Sequence, residues 1–245
     1  MNYSFDINGI EVNARYSEEN INDIFIPLLK KMKELRDLKK GRVLVMLAAP
    51  PGSGKSTILS FLKYLSENTK GLDPVSIIGM DGFHRYQEYL VSHTIERDGR
   101  SIPMVEVKGA PETFDLEKLL AKVKSVSAGE KCGWPEYNRM THNPLEDAIV
   151  VDSDIVILEG NYLLLKDEGW DKLKDYADLT ISVTADENML RQRLIDRKMK
   201  SGKTREQAKE FVEFSDMYNV RTVLERSQDA DIKLEILPDG SYKSE

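Results

Sequence analysis

The run from Ala49 to Ser56, which reads APPGSGKS, places the strongest constraint on how this chain can fold. It follows an apolar stretch, Val43–Ala48, and leads into a helical pattern over residues 56–65. Glycine allows backbone amides to turn inward around phosphate oxygens, and a helix N-terminus adds partial positive charge. The run fits the Walker A pattern, with Ala49 in place of the first glycine. The sequence therefore predicts a phosphate-binding loop between a strand and a helix.

The side chains of this loop predict a site for ATP and Mg²⁺. In loops of this kind the lysine, here Lys55, reaches the β- and γ-phosphates, and the hydroxyl of Ser56 is a ligand of the metal. We expect Ala49 to keep an ordinary strand-end conformation, which does not require glycine. The alternative is a glycine-rich turn that carries a lysine and a serine by chance. The predicted nucleotide-binding residues are Pro51, Gly52, Ser53, Gly54, Lys55, Ser56 and Thr57.

The rest of the chain alternates between strand-like and helix-like patterns. Short apolar runs lie at residues 43–48, 75–80, 155–158, 179–183 and 232–237. Helical patterns lie at residues 56–65, 116–126 and 187–199. Alternation of this kind is typical of a parallel sheet that is covered on both faces. The prediction is a three-layer α/β P-loop NTPase fold with a doubly wound, parallel, five-stranded sheet and a helical lid.

Residues 1–40 are predicted to form a hairpin and a helix ahead of a P-loop domain that covers residues 41–245. Apolar and polar residues alternate over residues 3–16 around Asn8-Gly9, a dipeptide that favours a type I′ hairpin turn. A helical stripe of apolar residues follows over residues 18–38, with Pro27 inside it. Within the P-loop domain we expect an insertion at about residues 84–150 and a lid at about residues 191–206.

Two carboxylates stand at the ends of predicted strands, where ligands bind in open α/β sheets. Asp81 ends the second strand, and a carboxylate there can accept the proton of an acceptor hydroxyl. Glu159 ends the third strand, as in the Walker B arrangement, and can reach Mg²⁺ directly or through water. The structural alternatives are a turn or N-cap aspartate and a solvated glutamate at a strand terminus.

The insertion carries polar and aromatic residues that could bind an acceptor. Tyr137, Arg139 and His142 lie within six residues of one another in a stretch without a helical pattern. His84 follows Asp81 by three positions. The alternative is a loop whose aromatic residues pack down, with histidines that contact only protein. The predicted substrate-binding residues are His84, Tyr137, Arg139 and His142.

A basic helical pattern at residues 187–199 predicts the lid. Arg193 and Arg197 are one helical turn apart, Arg191 precedes them, and a segment with Ser201-Gly202 follows. Cations on a helix beside a glycine-containing loop could close over a triphosphate and stabilise the transferring group. The alternative is a solvated charged face. Arg193 and Arg197 are therefore predicted catalytic residues, together with Asp81 and Lys55.

Composition excludes several other classes of protein. The net charge of −7 argues against a nucleic-acid partner, and the single cysteine rules out an intrachain disulfide. The N-terminus has no basic and apolar leader, and apolar runs are strand-sized. We therefore expect a cytoplasmic protein with a small-molecule partner and without a membrane or nucleic-acid partner. The sequence leaves a homo-oligomer open.

With these residues in view, the chain resembles the uridine kinase, phosphoribulokinase and pantothenate kinase group of P-loop kinases. The likeness runs from about residue 42 to residue 236, and it is closest to a bacterial branch of nucleoside/nucleotide kinase-like or fructose-transport kinases. The shared runs are PPGSGKST, MDGFH, KGAPETFD, YNR followed by HNP, and ILEGNYLLL. The resemblance implies Asp81 as the base, Glu159 near the metal, and acceptor contacts from Tyr137 and His142.

Two departures from uridine kinases affect the acceptor side. Gly109 stands where uridine kinases carry an acidic, ribose-binding residue, and His84 stands where they usually carry tyrosine. The expected activity is transfer of the γ-phosphoryl group of ATP to a hydroxyl of a nucleoside-, pantothenate- or sugar-like molecule. A nucleotide-dependent switch or assembly ATPase that acts on a protein partner is the main alternative, and a pure nucleotide-binding module is another.

Overall fold

The chain folds as a central mixed sheet with helices on both faces, and the computed structural model describes residues 2–7, 10–97 and 99–244. The helices are α1 (Glu18–Asn20), α2 (Ile26–Lys39), α3 (Lys55–Asn68), α4 (Gln87–Ser92), α5 (Leu116–Ser127), α6 (Glu187–Lys200), α7 (Arg205–Phe211) and α8 (Met217–Arg226). The strands are β1 (Asn2–Ile7), β2 (Ile10–Arg15), β3 (Val43–Ala48), β4 (Ser76–Gly79), β5 (Thr94–Arg97), β6 (Arg100–Pro103), β7 (Cys132–Asn138), β8 (Asn143–Val151), β9 (Ile155–Gly160), β10 (Leu179–Ala185), β11 (Ile232–Ile236) and β12 (Tyr242–Ser244).

The central sheet has the strand order β12-β11-β10-β3-β9-β4. The five strands predicted from sequence are all present and pair in parallel. The predicted strand count was wrong, because β12 adds a sixth strand that runs antiparallel to β11. The first parallel strand, β3, lies between β9 and β10, so the chain winds in both directions from it. Its carboxyl end is therefore at the point where ligands bind in doubly wound sheets.

Alternate residues of β3 face two separate hydrophobic cores, as expected for a strand covered on both sides. One core takes Val43, Val45 and Leu47, and the other takes Leu44, Met46 and Ala48. Helices α2, α3 and α6 contribute to the first core, whereas α5 and Trp134 contribute to the second. This arrangement is the predicted three-layer fold. Within the described ranges, no helix is both long and apolar enough to span a membrane.

The N-terminal residues pack directly on the sheet domain. The predicted hairpin is confirmed by the antiparallel pairing of β1 with β2, while the predicted turn at Asn8-Gly9 lies outside the described residues. Tyr16 stacks on Phe61 of α3 at 4.1 Å between ring centroids. The side chain of Asn20 donates to the carbonyl of Tyr242 and accepts from its amide, both at 2.8 Å. These bonds hold β12 to the N-terminal segment.

The helix predicted at residues 18–38 is confirmed, but it contains an irregular turn. A π-helical stretch, Ile21–Phe25, joins α1 to α2. Pro27 lies in the first turn of α2, directly after the π-helical stretch, in which the amide of Ile26 donates to the carbonyl of Ile21. The hydrogen bond that proline cannot donate is therefore missing at the irregular turn, and the helix continues past it.

The insertion between β4 and β9 contains two antiparallel hairpins, β5–β6 and β7–β8, which the sequence did not predict. The register of β7 with β8 shifts between Trp134 and Glu136, so Pro135 lies at a bulge. Proline is confined to such positions because it cannot donate to the strand ladder. The indole Nε1 of Trp134 donates to the carbonyl of Gly79 at 2.9 Å. This bond fixes the β7–β8 hairpin at the carboxyl end of β4.

Candidate active site

The loop between β3 and α3 has the backbone conformation that its glycines allow. Gly52 and Gly54 have φ values of 83° and 85°, in the left-handed region that other residues rarely adopt. A Cβ atom on Gly52 would also lie 3.1 Å from Cγ of Leu194, because α6 passes close to the loop. Ala49 has no positive φ, as expected for an ordinary strand end.

The loop has unsatisfied polar groups that suit a phosphate. The hydroxyl oxygen of Ser53 is buried and has no hydrogen-bond partner in the described part of the chain. The first amides of α3 have no acceptors within the helix and carry its positive dipole end. Buried polar atoms without partners are rare in native proteins and often indicate a missing ligand. These residues therefore fit the polyphosphate of a nucleotide.

Lys55 begins α3, and its ammonium group is held at the carboxyl ends of the strands. Its Nζ donates to Oδ1 of Asn161 at 2.6 Å. Burial lowers the pKa of Lys55, whereas the carboxylates of Glu159 and Asp81 act in the opposite direction. Both carboxylates therefore lie within electrostatic range of the lysine. The contact with Asn161 was not predicted, and its one sequence signal is the turn that Gly160-Asn161 forms after β9.

Glu159 lies in β9, between the strand that leads to the loop and the strand that leads to Asp81. It pairs with Leu47 of β3 on one side and with Gly79 of β4 on the other. A Cβ atom on Gly79 would lie 3.2 Å from Oε1 of Glu159, so the glycine leaves room for the carboxylate. Burial raises the pKa of Glu159, and Lys55 opposes this rise. A cation at this point would favour the ionised carboxylate.

Asp81 lies on a 3₁₀ turn, Met80–Phe83, directly after β4. The turn is anchored on the far side, where the amide of Asp115 donates to the carbonyl of Phe83 at 2.8 Å. Gly82 lies so close to the β7–β8 hairpin that a Cβ atom there would be 2.0 Å from the carbonyl oxygen of Pro135. The backbone around Asp81 is therefore tightly positioned, while its side chain remains exposed.

A cavity of about 290 Å³ joins these groups. Ser56, Asp81 and Glu159 line it on the side of the sheet, and Tyr137 and Arg139 line it on the side of the insertion. The structure thus brings together one predicted metal-binding hydroxyl, two carboxylates and two of the four predicted acceptor contacts. A cavity of this kind has room for a phosphoryl group and the end of an acceptor.

The two predicted acceptor histidines lie outside the lining of this cavity. His84 is buried, and its Nδ1 lies 2.8 Å from the backbone carbonyl oxygen of Asp81. Its ring packs on Phe114 and Tyr137, with centroid distances of 4.0 and 5.0 Å. His142 is exposed at the tip of the β7–β8 hairpin with a φ of 56°. Contacts of either histidine with an acceptor stay a prediction.

The predicted lid arginines lie on α6, which passes beside the phosphate loop. Arg197 is exposed, and its positive charge lowers the pKa of Lys55. Arg197 therefore lies on the side of the nucleotide site. Arg193 lies near Tyr242 instead: burial raises the pKa of that tyrosine to about 12, and Arg193 acts in the opposite direction. Arg191 is held in ion pairs with Glu187 and Glu213. Of the three arginines, Arg197 is the one within electrostatic range of Lys55.

A metal ion at this site would depend on the nucleotide for part of its coordination. In the described part of the chain, no group of three or more His, Cys, Asp or Glu side chains is arranged to hold a metal. Mg²⁺ usually takes one or two protein oxygens and completes its shell with phosphate and water. The hydroxyl of Ser56 and the carboxylate of Glu159 fit that need, because both line the same cavity.

Comparison with known proteins agrees with this geometry. The profile of the "Phosphoribulokinase / Uridine kinase family" matches residues 44–242. "Uncharacterized protein YggC" of Escherichia coli (strain K12) is 39% identical over 243 residues, which cover 99% of this chain and 98% of that protein. A protein of Schizosaccharomyces pombe named as a candidate uridine kinase is 32% identical over 203 residues, covering 80% of this chain and 84% of its own.

A solved structure shares the fold. The crystal structure of a candidate fructose transport system kinase from Silicibacter sp. TM1040 aligns with a TM-score of 0.74 and 30% sequence identity. The alignment covers 85% of this chain and 98% of that protein. The family profile spans nearly the whole sheet domain, including the phosphate loop, Asp81 and Glu159. The chain therefore belongs to the phosphoribulokinase/uridine kinase family of P-loop kinases.

Proposed function

We propose that this kinase uses ATP with Mg²⁺ and transfers the γ-phosphoryl group to a hydroxyl of a small molecule. The observation that carries the proposal is the shared cavity in which Ser56, Asp81 and Glu159 meet Tyr137 and Arg139. A switch protein needs a nucleotide site but has no need for an insertion that encloses space beside Asp81. The relatives named for uridine and for fructose transport also favour a small-molecule acceptor.

Each residue has a role that follows from its position. The amides of the loop and Lys55 hold the β- and γ-phosphates, and Ser56 and Glu159 hold the metal. When bound, ATP·Mg²⁺ supplies the electrophilic γ-phosphorus. Asp81 orients the acceptor hydroxyl and accepts its proton, and Arg197 stabilises the charge of the transferring group. Catalysis then comes mainly from positioning and charge neutralisation.

Asn161 stabilises the ammonium group of Lys55 before a nucleotide binds. Its Oδ1 holds the ammonium group at 2.6 Å and so satisfies a buried charge until phosphate oxygens replace it. Arg193 is proposed to act only if the lid closes toward the cavity, whereas Nδ1 of His142 already lies 3.4 Å from the hydroxyl of Tyr137, which lines the cavity. Tyr137 and Arg139 contact the acceptor without such a movement, because they already line the cavity.

A screen for ADP release from ATP·Mg²⁺ tests the proposal. Nucleosides, pantothenate and sugars are added one class at a time, with Lys55→Ala as the matched control. We expect one class to stimulate ADP release in the native protein and none to do so in Lys55→Ala. Slow hydrolysis that no acceptor stimulates, together with nucleotide-dependent binding of a protein partner, would instead indicate the switch.

A further inference from the structure

Lys108, the first residue of the run KGAPETFD, ties separate parts of the insertion together. Its Nζ donates to Oε1 of Gln87, the first residue of α4, at 2.9 Å. The same Nζ donates to the backbone carbonyl of His142, at the tip of the β7–β8 hairpin, also at 2.9 Å. Lys108 does not line the cavity, so its role depends on the groups that it holds.

A second bond attaches the hairpin tip to the same end of α4. The backbone amide of Gln87 donates to Oδ1 of Asn143, which follows His142 in sequence, at 2.8 Å. Gln87 therefore binds the tip directly through its amide and indirectly through Lys108. These bonds attach the tip of the hairpin, whereas the bond from Trp134 to Gly79 attaches its base.

The backbone at the tip has a conformation that needs support. The φ of 56° places His142 in the left-handed region, which residues other than glycine adopt at a cost in energy. Such a conformation persists where surrounding contacts fix it. The carbonyl that accepts from Lys108 belongs to this residue. The bond from Lys108 thus stabilises a turn that the chain would otherwise disfavour.

The ammonium group of Lys108 is half-buried and forms no ion pair with any residue that the structure describes. Burial lowers the pKa of Lys108. In addition to its two carbonyl acceptors, its Nζ lies 4.9 Å from the ring centroid of Tyr137, within range of a cation–π interaction. A lysine without a carboxylate partner is costly to bury, and residues kept at such a cost are expected near functional sites.

Tyr137 connects this lysine to the reacting end of the cavity. The ring of Tyr137 also packs on the ring of His84, whose Nδ1 lies 2.8 Å from the carbonyl oxygen of Asp81. Burial raises the pKa of Tyr137, and the carboxylate of Asp81 adds to the rise. Tyr137 is therefore within electrostatic range of the proposed base. A movement of the hairpin tip would displace Tyr137 relative to Asp81.

We propose that Lys108 is a positioning residue for the acceptor: it holds the hairpin tip against α4 and so keeps Tyr137 in the wall of the cavity. This inference rests on the proposed function, since Tyr137 needs a fixed position only if an acceptor binds beside Asp81. When the tip is released, the cavity is competent for only a fraction of the time, and the apparent affinity for the acceptor falls by that fraction. The phosphate loop lies on another strand and should not respond.

Amide hydrogen exchange tests the attachment of the tip without any acceptor. Lys108→Met keeps an unbranched side chain but removes the charge and the donors. We expect exchange at residues 138–143 to become roughly 10-fold faster, while exchange in the phosphate loop stays unchanged. Lys131→Met is the matched control, because Lys131 pairs with exposed Asp152 at the base of the same hairpin. Unchanged exchange at the tip in Lys108→Met overturns the proposal.

Turnover with the acceptor found in the ADP-release screen tests the positioning role. In Lys108→Met we expect the KM for the acceptor to rise roughly 10-fold, while kcat and the affinity for ATP·Mg²⁺ stay within about threefold. Lys108→Arg keeps the charge and the donors and should restore the KM to within about threefold of the native value. An unchanged KM in Lys108→Met overturns the role, even where exchange at the tip becomes faster.

A double-mutant cycle shows whether Lys108 acts through Tyr137. In the background of Tyr137→Leu, Lys108→Met should raise the KM by less than about threefold, because the side chain that it positions is absent. The same 10-fold rise in both backgrounds, or a rise confined to anionic acceptors, would indicate direct contact with the acceptor and overturn the proposal. A native protein that no acceptor stimulates overturns the proposed function and the positioning role together.

Discussion

The substitution Gly82→Ala should damage the active site without touching the phosphate loop. The added Cβ atom would lie 2.0 Å from the carbonyl oxygen of Pro135, 2.5 Å from its carbonyl carbon and 3.0 Å from the amide nitrogen of Glu136. All three are backbone atoms, so no side-chain rotation can relieve the overlap. To reach the ordinary contact distance of 3.4 Å from 2.0 Å, the turn and the β7–β8 hairpin must move apart by 1.4 Å.

That movement has two expected effects. Overpacking of this kind lowers the free energy of unfolding by about 3 kcal/mol. It also separates Asp81 from Tyr137 and Arg139, which lie on the two sides that the movement pulls apart. Because a misplacement of about 1 Å can cost on the order of 100-fold in rate, we expect kcat to fall by about that factor.

The assay combines urea unfolding, calorimetric titration with ATP·Mg²⁺ and turnover with the acceptor found in the screen. Affinity for ATP·Mg²⁺ should stay within about threefold of the native value, a difference below 1 kcal/mol, because the loop lies on another strand. Gly41→Ala is the matched control: the nearest atom to its added Cβ is 3.9 Å away, so its unfolding free energy should change by about 0.5 kcal/mol or less. Native turnover and native stability in Gly82→Ala would refute the reasoning.

Two further predictions concern a buried carboxylate and the edge strand. Burial raises the pKa of Glu159, whereas Mg²⁺ favours the ionised carboxylate. Binding of ATP·Mg²⁺ should therefore release a proton at pH values between the ordinary pKa of a glutamate and the raised pKa of Glu159. Affinity for ATP·Mg²⁺ should rise with pH across the same range. Calorimetry in two buffers of different ionisation enthalpy measures the release, and equal release in Glu159→Gln would contradict the assignment. Asn20→Ala removes two buried hydrogen bonds to Tyr242 and should lower the unfolding free energy by about 2–4 kcal/mol, measured in urea. Asn13→Ala on exposed β2 is its control, and equal stability of the two variants would show that Asn20 does not hold β12.

Local patterns were sufficient to predict the frame of the site. Each parallel strand is a short apolar run beside a helical pattern, and the central strands β3 and β9 are buried on both faces. Asp81 and Glu159 come together because they end adjacent parallel strands. The apolar runs that precede the two residues already predict those strands. The glycines of the loop could be interpreted directly, because Gly52 and Gly54 adopt the left-handed conformation that their sequence pattern requires.

The parts that sequence did not predict depend on contacts between distant residues. The three residues of β12 are too few to produce a pattern, and Asn20 holds them across 222 positions. The β7–β8 hairpin contains Pro135, and a proline argues against a strand when only the sequence is known. The position of the hairpin depends on the hydrogen bond from Trp134 to Gly79. Nδ1 of His142 lies 3.4 Å from the hydroxyl of Tyr137, but the residue is exposed at the hairpin turn and does not line the cavity.

Arg97 shows most clearly why such residues escape prediction. It lies on a short hairpin among exposed neighbours, where an arginine is ordinarily solvated. Its guanidinium lies 3.6 Å from the ring centroid of Tyr218, more than a hundred residues later, and 4.0 Å from Oε2 of Glu112. Nothing in the sequence around residue 97 indicates those contacts.

Asp81→Asn provides the most direct test of phosphoryl transfer at this site. The measurement compares binding of ATP·Mg²⁺ with transfer of labelled γ-phosphate to the acceptor, in the native protein and in the variant. We expect the affinity to stay within about threefold and the transfer rate to fall by roughly 100-fold or more, because loss of a general base costs about that factor. Native transfer in Asp81→Asn, or loss of nucleotide binding together with transfer, would contradict the role of Asp81 as the base.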